Sequence, residues 1–316
     1  MATINSLTTT YAGEFAGEYI SKALLSANTI ENGLVTVKPN VKFKETIKKV
    51  DTNAIIKDAT CDFDPTSTVT LTERVLQPEY QQVNLQLCKS DFQTDWEAMQ
   101  MGMSAHQSLP PKFSDFLIAH VAAKVAEKTE TNIWRGVTAN NGEFDGLTTQ
   151  ISTDADLPSG QEVAGVSVTS ANVIAQLGSI VDAIPSSLYG NEDLTLLVSQ
   201  NIYRAYIRAL GGFAADGVGA AGFESRGTNQ SIQPAFFDGL PIEMVNGLSD
   251  NTGIAAEKSN LYFGTGLLAD HNEVKVIDMA DIDGSQNVRI VMRFTAGVQY
   301  GNIEDIVTYG ITNSAN

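Results

Sequence analysis

Residues 108–136 constrain the fold more than any other stretch of the chain. Ser108 offers an N-cap, Pro110 and Pro111 fall in a first helical turn, and Gly136 is placed for a C-terminal cap. Between them Phe113, Phe116, Leu117, His120, Val121 and Val125 mark one side. After an alanine-rich middle, Ile133 and Trp134 continue it. The spacing predicts a helix over about 110–135, and at ~1.5 Å per residue it spans roughly 39 Å. A rod of that length serves as a spine on which other elements lie.

The flanking regions differ in kind. Tyr11, Phe15, Tyr19, Ile20 and Leu24 give one apolar helical stripe near the N-terminus, weakened by two internal glycines. Val41–Ile47 and Val69–Leu76 alternate apolar and polar residues, as half-buried strands do, around the turn-rich stretch 58–65. A third alternating run, Tyr80–Leu87, follows Pro78. Together they read as a long, mostly polar hairpin, and such an arm rarely persists in water unless it packs on another chain.

Beyond the long helix comes a turn-rich exit through Asn141-Gly142 and Phe144–Leu147. A second helix is expected at Ser170–Ala183, burying Val173, Ile174, Leu177, Ile180 and Val181. A buried strand Leu194–Val198 leads into a helix near Gln200–Leu210, then a Gly/Ala-rich loop, 211–222. The chain returns through Phe236–Val245 and Ser259–Gly264 to closing strands at Val274–Met279, Val288–Gly297 and Ile306–Ile311. The order is mixed rather than βαβ-periodic, so the fold class is α+β.

Composition narrows the function. A chain of 316 residues, 43% hydrophobic and 18% charged, builds one or two sizeable cores. No apolar run is long enough to span a bilayer, and the N-terminus carries no secretion signal. The two cysteines, Cys61 and Cys88, form neither a zinc motif nor a disulfide framework. The net charge of −17 is uneven: −3 over residues 1–136 and −14 over 137–316. The acidic part repels phosphate and so suits no nucleic-acid surface of the usual kind, though it fits an outer face.

The chemistry searched for is mostly missing. Gly217, Gly219 and Gly222 satisfy a dinucleotide-binding pattern, with Asp238 downstream, but the loop follows a helix and no helix follows it. His106, His120 and His271 are scattered, without metal-ligand spacing. Asp278, Asp281 and Asp283-Gly284 resemble part of a calcium loop that is broken at Ala280 and lacks the closing glutamate. Lys38, Lys42, Lys44, Lys48 and Lys49 make the one cationic run. Strand alternation puts Lys42, Lys44 and Lys48 on one face, which suits an acidic neighbour, packaged DNA, or simply a solvated edge. No catalytic, cofactor-binding or metal-binding residue is assigned, no cofactor is expected, and the chain reads as no enzyme.

Taken in order, these parts resemble the HK97-type major capsid proteins of tailed bacteriophages. Ile133-Trp-Arg-Gly136 followed by Phe144-Asp-Gly-Leu147 is similar to spine-helix endings in that family. Val198–Tyr203 with its following helix and Phe237-Asp-Gly-Leu-Pro-Ile242 are similar to axial-domain stretches. The resemblance covers nearly the whole chain, but its motifs are packing signatures of modest specificity. It implies an N-terminal arm over 1–40, an E-loop hairpin over 41–90, a peripheral domain over 91–165, an axial domain over 166–265 and returning peripheral strands over 266–316. It implies a structural virion protein that self-assembles into hexamers and pentamers of an icosahedral capsid around double-stranded DNA, bound without sequence specificity. Scaffolding, portal and decoration proteins are further implied partners, no membrane is involved, and assembly takes place in the host cytoplasm. A start so near the arm implies a separate scaffolding protein or none. Lys57, near the hairpin tip, stands where some members form a cross-link, but no feature here supports that bond. The alternative is an encapsulin, a nanocompartment shell of the same fold holding cargo protein.

Overall fold

The computed structural model describes residues 28–41, 43–52, 56, 58, 59, 61, 69–88, 111–210, 235–266 and 275–314. The stripe at 11–24, Lys42, Lys57, His106, Ser108, the loop 211–222 and His271 lie outside them, as do the side chains of Phe113, Phe116, Leu117 and His120.

The described chain opens with a short helix, α1 (Asn28–Glu31), and strand β1 (Thr36–Lys38). Strands β2 (Glu45–Thr52), β3 (Val69–Leu76) and β4 (Glu79–Cys88) follow. The expected spine is α2 (Pro111–Arg135). Its buried side carries Ile118, Val121, Val125, Ile133 and Trp134, joined by Ala122, Ala126 and the carboxylate-bearing Glu130. Gly136 does not cap the helix in a left-handed conformation. A Cβ there would lie 2.2 Å from the Phe144 carbonyl oxygen, so glycine is needed because the returning chain passes against it. Gly146 N–H donates to the Gly136 carbonyl at 2.9 Å and closes that return.

The remaining elements are α3 (Leu147–Thr153), β5 (Glu162–Gly165), α4 (Val173–Asp182), β6 (Leu194–Ser199), α5 (Gln200–Ala209), β7 (Ala235–Phe237), β8 (Leu240–Val245) and β9 (Gly253–Glu257). They are followed by β10 (Leu261–Thr265), β11 (Lys275–Asp278), α6 (Ala280–Asp283), β12 (Asn287–Tyr300) and β13 (Val307–Ser314). Asp238 and Gly239, both at positive φ (46° and 82°), make the tight turn from β7 to β8. In α4, Val173, Leu177 and Ile180 are buried as expected, but Ile174 is 51% exposed and Val181 only half-buried. The 4-then-3 spacing fixes the buried line, and one residue further turns about 100° away from it.

Two larger sheets organise the molecule. One has strand order β1-β10-β12-β11, with β4 paired to β12. The other runs β5-β13-β9-β6-β8-β7 and mixes parallel with antiparallel pairs. This arrangement is α+β. The third alternating run of the sequence does not extend the hairpin. As β4 it pairs with β12 from Glu79↔Ala296 to Cys88↔Asn287, and Val83, Leu85 and Leu87 pack on the core. Its inward residues found a partner in a strand some two hundred positions later, information that alternation alone does not carry.

The first sheet and α2 enclose one core, built around Trp134, Phe263, Ile290, Met292 and Tyr300. Helices α4 and α5 cover the second sheet over Leu177, Leu196, Val198, Ile202 and Tyr309. Strand β6 is buried along its whole length because both cores use it: Leu196 faces the second and Leu197 the first.

Candidate assembly interface

Strands β2 and β3 form a two-stranded sheet of their own. Cross-strand partners share a face, so the register Thr46↔Val75, Lys48↔Glu73, Val50↔Leu71 and Thr52↔Val69 defines one side of the hairpin. The other side carries Ile47, Lys49, Arg74 and Leu76, of which Leu76 is fully buried and the rest are half-buried against the body. The first side points to solvent. On it Val50 is 61% exposed, Val69 62%, Leu71 69% and Val75 40%. The sequence reads both segments as half-buried strands: Ile47 and Leu76 do turn towards the body, but Val69, Leu71 and Val75 turn the opposite way, to solvent. A hairpin of this size is marginal by itself, and here the described residues leave much of its apolar face open to solvent.

The root of the hairpin is fixed by polar ties. Arg74 pairs with Asp154 at 2.6 Å and donates to Tyr300 Oη at 3.1 Å. The guanidinium also stacks 4.5 Å from the Tyr300 ring centroid. Tyr300 Oη in turn donates to Asp154 Oδ2 at 2.5 Å. Burial works against the charged Asp154, yet the hydrogen bonds from Tyr300, the Asp156 N–H and Arg74 outweigh it and hold the carboxyl below the ordinary aspartate range. Burial, with the bond to Asp154, pushes the Tyr300 hydroxyl up. Lys49 reaches Glu304 at 2.8 Å, Lys38 reaches Glu45 at 2.5 Å, and Gln299 donates to the Val75 carbonyl at 3.1 Å. Rooted by these ties, the hairpin holds its outer face towards solvent.

The cationic run is thereby divided. Lys38 and Lys49 are internal ties, Lys48 lies across from Glu73 on the outward face, and Lys44 is exposed beside Phe43. Sequence reasoning missed Arg74, Asp154 and Tyr300, which lie far apart in the chain.

A second polar joint lies inside the molecule. Glu130, 5% exposed, accepts from Thr29 N–H at 3.1 Å and Thr29 Oγ1 at 2.6 Å, and also from the Gly247 N–H. Trp134 Nε1 donates to Thr29 Oγ1 at 2.7 Å. One carboxylate thus joins α1, α2 and the turn after β8. Burial raises its pKa above the usual glutamate value, and these hydrogen bonds only partly offset that.

Other sequence candidates find plain places. Asp278 Oδ1 accepts from Ala280 N–H and Asp283 Oδ1 from Ser285 N–H, which makes local turns of the calcium-like stretch. Among the described residues no group of three or more His, Cys, Asp or Glu could hold a metal ion. Cys61 is exposed and Cys88 half-buried, both as thiols. A cleft of about 570 Å³ beside the hairpin root is lined by Arg74, Glu79, Asp145, Asp154 and Tyr300. Burial and the nearby Asp145 raise the Glu79 carboxyl. Nothing lining the cleft pairs a nucleophile with a base. No helix among the described residues is long and apolar enough to cross a membrane.

No family model and no curated protein matches the sequence. Solved structures do match. The capsid of a native GTA particle aligns with a TM-score of 0.60 at 11% identity, over 98% of this chain and 94% of that one. The procapsid of satellite phage P4 aligns at 0.52 and 11% identity, over 92% and 97%. Mycobacterium phage Adephagia aligns at 0.53 and 15% identity, over 91% and 89%. Across nearly its whole length, then, this chain has the fold of the capsid proteins of phage and GTA particles.

Proposed function

We propose that this chain is a phage major capsid protein, a structural and non-enzymatic shell subunit that self-assembles into the icosahedral head around double-stranded DNA. The observation that carries the reading is the rooted hairpin with its uncovered apolar face, set on a capsid fold. Full burial of a Val or Leu side chain is worth about 1.5–3 kcal/mol, so four of them on a neighbouring subunit supply a substantial part of a contact repeated around the shell.

In HK97-type terms, residues 1–40 are the arm, 41–90 hold the E-loop, 91–165 and 266–316 make the peripheral domain, and 166–265 the axial domain. Copies form hexamers and pentamers, with scaffolding, portal and decoration proteins as further partners. Assembly takes place in the host cytoplasm and ends in the virion. Electron microscopy of the purified full chain tests this, with closed shells or capsomers as the expected result. Monomers under every assembly condition would sink the reading. Particles filled with cargo protein instead of DNA would replace it with a nanocompartment.

A further inference from the structure

Residues 137–316 carry only seven cations against 21 acidic side chains, yet three of the seven sit together. In the first sheet, Val276, Val288, Ile290, Met292 and Phe294 point into the core shared with α2. Alternation sends their neighbours to the opposite, solvent side. There the register sets Arg289 against Gln86, Val291 against Asn84, Arg293 against Gln82 and Thr295 against Tyr80. On the other flank of β12 it sets Lys275 against Val291 and Ile277 against Arg289.

The face is therefore a flat field of cations, amides and hydroxyls spread over three strands. Arg289, Arg293, Gln82, Asn84, Gln86 and Tyr80 are all exposed, Tyr80 by 84%. Its aliphatic side chains, Ile277 and Val291, are already half-buried. Arg289 Nε donates to Gln86 Oε1 at 3.0 Å across the strand pair, and Asp283 stands near its end. With ~3.3 Å of rise per residue, Arg289 and Arg293 lie roughly 13 Å apart, with Lys275 between them on the neighbouring strand.

We infer that this sheet face is a contact surface for the phosphate backbone of double-stranded DNA. The inference rests on the shell reading above and names the surface that would meet the enclosed polymer. Sequence-neutral contacts to phosphate and sugar come from Arg and Lys together with Ser, Thr, Asn, Gln and Tyr, the residue set found here. An interface with a second copy needs an apolar core, which the described residues of this face do not supply. The acidity of the rest of the chain does not forbid such contacts, because at about 0.1 M salt charges more than ~10 Å away are largely screened. Each copy binds weakly, and a shell presents many copies.

The test uses the purified full chain kept unassembled, a short duplex DNA of arbitrary sequence as probe, and binding measured across a salt series. Neutralising the face (Lys275→Gln, Arg289→Gln, Arg293→Gln) should weaken binding at low salt and flatten the log K against log salt slope by about 1 per cation removed. Arg289→Lys with Arg293→Lys should keep the wild-type slope, and single Arg293→Glu, at an exposed position, checks the effect without risk to the fold. An unchanged slope in the neutral and Arg293→Glu variants overturns the inference. So does a neutral variant that binds duplex normally but no longer assembles, which would make the face a contact between copies. Wild-type protein that binds duplex with the expected salt slope yet never assembles supports the surface while overturning the shell reading.

Discussion

Glu130 shows how much can depend on one side chain that looks unremarkable in sequence. In Ala-Glu-Lys-Thr-Glu-Thr it reads as a solvated helix carboxylate. Its burial is decided by Thr29 and Gly247, each about a hundred positions away. Replacing it with Gln leaves one acceptor where several donors converge, and Glu130→Gln should destabilise the protein by about 1–3 kcal/mol in thermal unfolding. The pH profile gives an independent reading. Because the folded carboxyl titrates above the ordinary glutamate value of 4.5, the stability linked to its protonated form is complete below about 4.5 and is lost as pH rises through the raised value. Glu130→Gln should remove that part of the profile, and an unchanged profile would exclude the joint. Asp154 has the opposite sign. Its carboxyl is lowered from 3.8, so its contribution is present above about 3.8 and disappears as pH falls through the folded value. Arg74→Ala should shrink the acid-dependent step, leaving the part that Tyr300 and the Asp156 N–H supply, and speed hydrogen exchange in β2 and β3, which lose one of their ties; exchange that stays at the wild-type rate would deny Arg74 that anchoring role.

At the level of elements, legibility followed signal strength. The long helix, the mostly apolar strand β6 and helix α5 were readable because each has a clear pattern and clear boundaries. The hairpin was readable as an arm without a core, but not the direction of its faces. Alternation looks the same whether Val69, Leu71 and Val75 point inward or outward, and only the packing of Ile47 and Leu76 on the body decides it. The Arg74–Asp154–Tyr300 root had no sequence signal at all, since its members come from three unconnected segments. Because Leu71 and Val50 stand 69% and 61% exposed among the described residues, Leu71→Lys with Val50→Lys should change unfolding stability by less than about 0.5 kcal/mol. Sedimentation of the same variant should show lost or weakened assembly, and normal shells would deny this face its role. Gly136→Ala should behave in the reverse manner. The added methyl meets the Phe144 carbonyl, so stability falls in the isolated subunit whatever its assembly state.

For the whole molecule, the shared strand β6 predicts how the chain unfolds. Leu196 and Leu197 are adjacent and both fully buried, yet they serve different cores. Leu196→Ala and Leu197→Ala should each cost about 2–5 kcal/mol and shift one and the same calorimetric transition. Two separable transitions, each moved by only one variant, would show that the cores are independent.

The passage from β3 into β4 gives the hairpin a mechanical meaning. Only Gln77 and Pro78 separate the two strands, and β4 is then zipped to β12 over ten register pairs. A pull on the hairpin enters β4 at Glu79, and a load directed along β4 would shear the ladder, with its rungs sharing the force. Peeling would break them one at a time. In the shell proposed above, tension on the hairpin would thus pass into the β4–β12 ladder, and the hairpin would work as a tether held by β12.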